Sequence, residues 1–471
     1  MSFYNNLKYF KKNIALVLDN EEVTYNDLLQ KALQISNQFK NNSLIFLLID
    51  NDLESLSALI GSNLNNSVAM LLNSNINSKS LSGLIKLYHP DYIFFNKSTK
   101  IKLDNYENEF SFYNYVLLKS KESIKKNLYS DLFLLQSTSG STGSPKNVRL
   151  SYKNLISNTN SIINDLKIVE NDIAITTLPL SYVYGLSIVN THLNIGAKIV
   201  LNKNSIIEKK FWSKLLFNKV NNFGGVPYTY EILMRMGLKD EYFKFLKYST
   251  IAGGHLNSQL KSKILDFYEK NNILLISMYG AAEATARMSY LPSNFSRKKI
   301  DSIGIAISNG SFYLEDENNN VISDDNKDGE LIFKGENVCM GYAYSFKDLS
   351  KKDENNSILR TKDIGYFDSE GFYYVKGKKS RYVKLVGNRV SLDELEKIIF
   401  EYGFENVCVQ FNKDELCIFL KERNFEKDVK SYISKYTNLH EKLFRIQYID
   451  EFPMTQNNKI DYNSDIFKNN D

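Results

Sequence analysis

Hydroxyls and glycines crowd into one stretch of the chain, Ser137-Thr138-Ser139-Gly140-Ser141-Thr142-Gly143-Ser144-Pro145-Lys146. Glycines let backbone N–H groups turn toward a ligand, Ser and Thr hydroxyls add donors, and Lys146 sets a mobile positive charge at the exit, so the chemistry on offer is the holding of phosphate. The stretch is not a Walker A loop, which needs four residues between its first glycine and a Gly-Lys pair. Taken alone it reads equally as a flexible turn between two sheet elements. A second cluster, Tyr279-Gly280-Ala281-Ala282-Glu283, offers an aromatic face, a glycine that permits close approach, and one carboxylate. A lone Glu after a turn is ordinarily a solvated surface residue. The histidines, His89, His192, His255 and His440, are scattered without a partner at zinc-ligand spacing. Cys339, Cys408 and Cys417 form no disulfide framework, which fits a reducing, cytoplasmic setting.

The elements that must position these groups alternate. Ile14-Ala15-Leu16-Val17-Leu18 and Glu22-Val23-Thr24-Tyr25 read as a hairpin, followed by a helix with Leu28, Leu29, Ala32, Leu33 and Ile35 at amphipathic spacing. Strands are expected at 44–49, 67–72 and 91–95, with helices at 53–63 and at 78–88, the latter stopped by His89-Pro90. Val148-Arg149-Leu150 reads as a strand and Ser151 as a helix cap. Further strand runs at 172–178, 197–201, 223–227, 249–254 and 274–280 include three that end in or near glycines, at Gly224-Gly225, Gly253-Gly254 and Gly280. Such an order argues for an α/β layer fold, whose ligands gather at the carboxyl ends of the strands. Between 300 and 375 β runs dominate, as in a small sheet or barrel. Beyond the basic stretch Gly377-Lys378-Lys379-Ser380-Arg381 a compact α/β unit begins. There Ser391 and Glu394 form a capping-box pattern, and 407–411 with 416–420 form a hairpin that buries Cys408 and Cys417.

With 471 residues the chain exceeds what one core usually supports, so a large domain and a smaller one are expected. The net charge of +5 is small for this length and Lys is interspersed with Asp and Glu, which marks no nucleic-acid surface. No apolar run approaches the roughly 20 residues that span a bilayer, and the first residues lack the apolar core of a signal peptide.

Three further pieces follow in order: Thr361-Lys362-Asp363-Ile364-Gly365, then Gly387-Asn388-Arg389, then Pro453-Met454-Thr455-Gln456-Asn457-Asn458-Lys459-Ile460-Asp461. Together with the hydroxyl-rich loop and Tyr279–Glu283, this order resembles that of the adenylate-forming, AMP-binding superfamily: acyl-CoA synthetases, acyl-AMP ligases, adenylation domains of peptide synthetases and beetle luciferases. The resemblance runs from Val23-Thr24-Tyr25 to Lys459. It implies a large N-terminal domain of layered α/β sheets with a small β-rich subdomain, residues 1–379, and a small mobile α+β lid, residues 380–471, hinged at Ser380.

The implied reaction is attack of a carboxylate on the α-phosphorus of ATP, giving acyl-AMP and pyrophosphate, then transfer of the acyl group to a thiol. By resemblance Thr138, Ser139, Gly140, Ser141, Thr142, Gly143 and Lys146 cradle phosphates, and Glu283 holds Mg²⁺. Gly253, Gly254, Tyr279 and Gly280 flank the nucleotide, Asp363 accepts from the ribose hydroxyls, and Arg389 adds a contact near ribose and phosphate. Lys459 meets the charge between carboxylate and α-phosphate. Tyr182, Val226, Pro227 and Tyr228 line the acid pocket. Departures are Tyr182 for a frequent His, Ala282 for Thr, Lys362 for Gly, Lys378 for Arg and Asn458 for Gly. No acid stands in Tyr184-Gly185-Leu186-Ser187, where amino-acid-specific members carry Asp, so an acid without an α-ammonium group is expected. The thiol belongs to coenzyme A or to the phosphopantetheine arm of an acyl carrier protein. An amino-acid-type adenylation, a luciferase-like oxidation of the adenylate and a silent nucleotide-binding homologue are the competing readings.

Overall fold

The computed structural model describes residues 3–99, 101, 103–122, 124–137, 146–385, 388–412, 415–437, 439–454, 460–462 and 464–467. These fall into two compact units, one built from the chain before Phe312 together with Lys334–Leu359, the other from Phe312–Phe333 and the chain from Arg360 onward.

Two sheets organise the first unit. In the eight-stranded sheet the spatial order is Tyr342–Ala343, Asn147–Ser151, Leu132–Ser137, Val68–Asn73, Leu44–Ile49, Tyr92–Asn96, Tyr115–Ser120 and Tyr106–Phe112. Its centre is parallel, and the strand Leu44–Ile49 is buried along its whole length, as an unbroken apolar run must be when helices cover both faces. The nine-stranded sheet carries the parallel series Ile14–Val17, Lys198–Val200, Ile173–Ile175, Asn222–Gly225, Tyr248–Ile251 and Leu274–Tyr279, with short antiparallel strands at its ends.

Local chemistry sets the helix bounds. Thr24, Asp52, Asn77 and Ser151 each accept a backbone N–H at a helix start, and His89 ends the helix Ser78–Tyr88 in the left-handed conformation ahead of Pro90. Helices Tyr25–Ser36 and Leu53–Leu64 pack closely at Gly61, where a Cβ would come within 2.6 Å of the Ala32 carbonyl oxygen. Among the described residues no helix is long and apolar enough to cross a membrane.

In the second unit, Val321–Ile322, Gly310–Glu315, Gly329–Gly335, Ile358–Phe367 and Tyr373–Lys378 form a five-stranded sheet in that spatial order. It is an open sheet: among the described residues its two end strands do not pair with each other. Farther on come the hairpin Tyr382–Leu385 with Asn388–Ser391, the three-stranded sheet Asn406–Gln410, Leu416–Leu420 and Phe444–Tyr448, and helices Leu392–Glu401 and Glu426–Thr437. Cys408 and Cys417 are buried and free. Two local expectations need correction. Pro227 does not end a loop but opens the helix Pro227–Met236, where its fixed φ and missing N–H cost nothing. Ser391 does cap its helix, accepting from the Glu394 N–H at 3.2 Å, but the Glu394 carboxylate accepts from the Tyr436 hydroxyl.

Candidate active site

The strands Leu132–Ser137 and Asn147–Ser151 pair antiparallel with Ser137 opposite Asn147, so residues 138–146 are the connection between them. Thr138, Ser139, Gly140, Ser141, Thr142 and Gly143 lie outside the described residues. Lys146 is described: its Nζ sits 3.5 Å from the centroid of the Tyr342 ring, a close cation–π contact. The Tyr342 hydroxyl in turn donates to Glu283 Oε1 at 3.0 Å. Burial and the adjacent Glu283 raise the Tyr342 phenol well above its ordinary range, which keeps it a donor. One tyrosine therefore joins the two charged groups that sequence reasoning picked out separately.

Tyr342 is placed by Arg149. This guanidinium is fully buried and donates to the carbonyls of Met340, Tyr342, Lys351 and Lys352, and it pairs with Glu354 at 2.6 Å. Gly341, at φ +114°, has no room for a side chain, because a Cβ would lie 2.7 Å from the Glu354 carboxylate and 3.0 Å from Arg149 Nη2. Glu283 is held on the other side: it sits in a single turn, Ala282–Ala284, its carbonyl accepts from the Cys339 N–H, and buried Asn337 donates to the carbonyls of Ala284 and Arg287. Arg149, Asn337 and Tyr342 were not anticipated. No local pattern marks them, since Arg149 and Tyr342 stand 193 residues apart in sequence.

Gly280 has a reason within the chain itself: a Cβ there would come within 1.7 Å of the Ala286 carbonyl oxygen, so only glycine closes this turn after Tyr279. Gly253 adopts φ +90°, and a Cβ on it would meet the Tyr182 hydroxyl at 2.8 Å and Val226 at 3.3 Å. A Cβ on Gly254 would meet Pro227 at 3.2 Å. The strand ends therefore bring together Tyr182, Val226, Pro227, Gly253 and Gly254. Tyr228 is on the first turn of its helix and is exposed. Tyr182 follows Ser181, whose carbonyl accepts from buried Gln136 in the strand that leads to the hydroxyl-rich connection. Beneath lies a cluster of Leu178, Tyr184, Tyr248, Ala252, Ile276 and Met278.

In the second unit, Asp363 is buried and forms an ion pair with Lys378 at 2.6 Å, across the pairing of their strands. Lys362 before it stands at φ +59°. That backbone is strain-free only for glycine, which gives the usual Gly at this position its physical reason. Ser380 lies in the exposed turn Lys379–Arg381, flanked by anchors: Lys379 pairs with Glu330, and Arg381 pairs with Asp393 and with Glu396 while lying 3.9 Å from the Tyr462 ring centroid. Burial outweighs Arg381 at Glu396 and lifts its carboxyl to about 6. Arg389 pairs with Lys384 along the backbone, its side chain lying outside what is described. Lys459 also lies outside the described residues. Its flanks close on one another through the Met454–Ile460 bridge and the bond from Asp461 N–H to the Pro453 carbonyl.

A family model described as AMP-binding enzyme matches residues 3–343. The chain belongs to this family. A 2-succinylbenzoate–CoA ligase of Oceanobacillus iheyensis is 23% identical over 460 residues, covering 94% of this chain and 93% of that protein. A D-alanine–D-alanyl carrier protein ligase of Bacillus cytotoxicus is 25% identical over 357 residues, covering 70% and 69%. Among solved structures, o-succinylbenzoate coenzyme A synthetase from Bacillus subtilis in complex with ATP and magnesium ion superposes with a TM-score of 0.77 at 19% identity, over 97% of this chain and 98% of that one. This AMP-binding enzyme is an AMP-forming acid–thiol ligase. It activates a carboxylic acid with ATP as acyl-AMP, releases pyrophosphate, and passes the acyl group to a thiol.

Proposed function

We propose that the Lys146–Tyr342–Glu283 line is the fixed half of the adenylation site, and this contact series is the observation that carries the residue roles. The connection Thr138–Lys146 grips the β- and γ-phosphates. Lys146 has its cation held over an aromatic face rather than in a carboxylate's grip, which leaves its charge for an anion. Glu283 is half-buried and takes the Tyr342 hydroxyl on Oε1. Its donor set suits Mg²⁺: among the described residues no group of three or more His, Cys, Asp or Glu could hold a metal alone, and Mg²⁺ is typically bound by one or two carboxylates with phosphate oxygens completing its shell. Bound there, Mg²⁺ supplies charge neutralisation to the triphosphate.

Gly253, Gly254 and Tyr279 flank the adenine, Gly280 belongs to the same nucleotide-binding set, and Asp363, steadied by Lys378, accepts from the ribose hydroxyls. Arg389 contacts ribose and phosphate. Lys459 meets the charge that grows between the attacking carboxylate and the α-phosphorus, stabilising the transition state more than the ground state. The articulation lies between 1–379 and 380–471 at Ser380, whose exposed turn is bracketed by the anchored Lys379 and Arg381. Tyr182, Val226, Pro227 and Tyr228 line the acid pocket. The acid carries no α-ammonium group, since no carboxylate stands in Tyr184–Ser187 to pair with one. The relatives include both a CoA ligase and a carrier protein ligase, so the acceptor is the phosphopantetheine thiol of coenzyme A or of an acyl carrier protein. Free buried thiols at Cys339, Cys408 and Cys417 support a cytoplasmic location.

The test is ATP–pyrophosphate exchange across a panel of free acids, followed by thioester detection with coenzyme A and with a carrier protein. Acid-dependent exchange is expected. A flat panel would overturn acid activation in favour of a silent nucleotide binder, and oxygen consumption or light in place of a thioester would identify a luciferase-like oxygenase.

A further inference from the structure

Among the described residues of the first unit three arginine and lysine side chains are buried, and two of them have hydrogen-bond partners. Arg149 has its carbonyls and Glu354, and Lys261 donates to the Ile300 carbonyl. Arg287 is different. It is 3% exposed, yet among the described residues its guanidinium has no hydrogen bond and no ion pair; it lies 5.3 Å from the centroid of the Tyr184 ring. The acidic influence on it is Asp165, whose carboxylate already accepts from the Ser308 N–H and hydroxyl. Burial pulls the Arg287 guanidinium down to about 10, the cost of a buried cation without a partner.

Its position is specific. Asn158 and Asn337 each donate to the Arg287 carbonyl at 2.9 Å, which fixes the backbone and sends the side chain under the pocket residues. The ring of Tyr184 touches both sides: Arg287 lies over it, and Tyr182 meets it edge-on with centroids 6.3 Å apart. Arg287 also lines a cavity of about 20 Å³ whose wall is apolar at Ile162, Ile188 and Phe223 and polar at Thr191, His192 and Asn222. That volume holds the oxygen end of a small polar group. An arginine fork matches a carboxylate in geometry as well as charge.

We propose that Arg287 is a specificity-determining residue that pairs with a second anionic group on the acid, so that the enzyme selects dicarboxylic acids over monocarboxylic ones. The inference rests on Tyr182, Val226 and Gly253 marking the acid pocket. The substrate supplies the counter-charge that the folded chain withholds, and one carboxylate is anchored while the other reacts.

The experiment measures ATP–pyrophosphate exchange by the full chain with short dicarboxylic acids, aliphatic and aryl, each matched to the monocarboxylic acid in which a methyl group replaces the second carboxylate. The wild type is expected to favour the dicarboxylic member of at least one pair by about ten- to a hundredfold in kcat/KM. Arg287→Met should collapse that ratio, and Arg287→Lys should keep part of it. Without substrate, Arg287→Met should melt no lower than the wild type, because it removes an uncompensated buried charge. Exchange with no preference in any pair, or a preference that Arg287→Met leaves intact, overturns the inference while leaving acid activation standing. A lower melting temperature or failure of Arg287→Met to fold marks a structural arginine and overturns it too. Absence of exchange with every acid overturns both readings.

Discussion

Lys146 in the first unit and Lys378 in the second are both lysines set beside a carboxylate of the candidate site, but the two are held in opposite ways. Lys146 reaches Glu283 through Tyr342, and Tyr342 is fixed by a buried arginine, a glycine with no room for a side chain, and carbonyl bonds across long sequence separations. Lys378 meets Asp363 directly, from a side chain that is more than half exposed. The Lys378 ammonium is more than half in water and can swing away, at the cost of withdrawing its charge from the buried Asp363 carboxylate, whereas a tyrosine held by a buried guanidinium cannot move without breaking several bonds. The first arrangement suits a phosphate grip that must be rigid before substrate arrives. The second suits a contact that is made and released.

Removing the rigid support should give the largest effect. Arg149→Met leaves Glu354 and up to four carbonyls without their donor, and the expected loss is about 3–5 kcal/mol of unfolding free energy, read by denaturant titration. A loss under about 1 kcal/mol would mean that the segment 340–354 is held by something other than Arg149. Tyr342→Phe keeps the ring beneath Lys146 and deletes only the donor to Glu283. Exchange activity should fall about tenfold in kcat/KM, the worth of one hydrogen bond to a charged group, with folding intact. An unchanged rate would show that the Tyr342 hydroxyl does not position Glu283. The smallest effect is expected in the second unit: Lys362→Gly removes a left-handed strain and should gain about 0.5–1 kcal/mol in thermal or denaturant unfolding, while a loss would show that the Lys362 side chain has a contact worth more than the strain.

The same contrast explains what could be read before the fold was known. Apolar runs, caps and stops are local, so the helix Ser78–Tyr88 with its His89-Pro90 stop and the Ser151 cap were legible. The glycines of three strand ends were legible as well, because close approach leaves only one residue type. The hairpin Tyr106–Phe112 with Tyr115–Ser120 was not, since its turn places Tyr113 at φ +50° where Asn-Gly or Asp-Gly would have signalled it. Nor were Tyr342, Arg149 and Asn337, whose partners lie far along the chain. Arg287 was equally silent: a lone arginine four residues after Glu283 carries no pattern, and its meaning comes from the missing partner. The charged residues proposed for the site came only from an ordered set, in which Glu283, Asp363, Arg389 and Lys459 gave meaning to a loop that alone was a Ser/Gly turn; Lys459 and the Arg389 side chain lie outside the described residues.

The most direct measurement is acid-dependent ATP–pyrophosphate exchange by Lys459→Ala beside the wild type, with ATP binding followed in parallel. If the loop and Glu283 grip the triphosphate while Lys459 serves the reacting phosphorus, exchange should fall on the order of a hundredfold or more while ATP binding persists. Exchange by Lys459→Ala at the wild-type rate would contradict that division of labour.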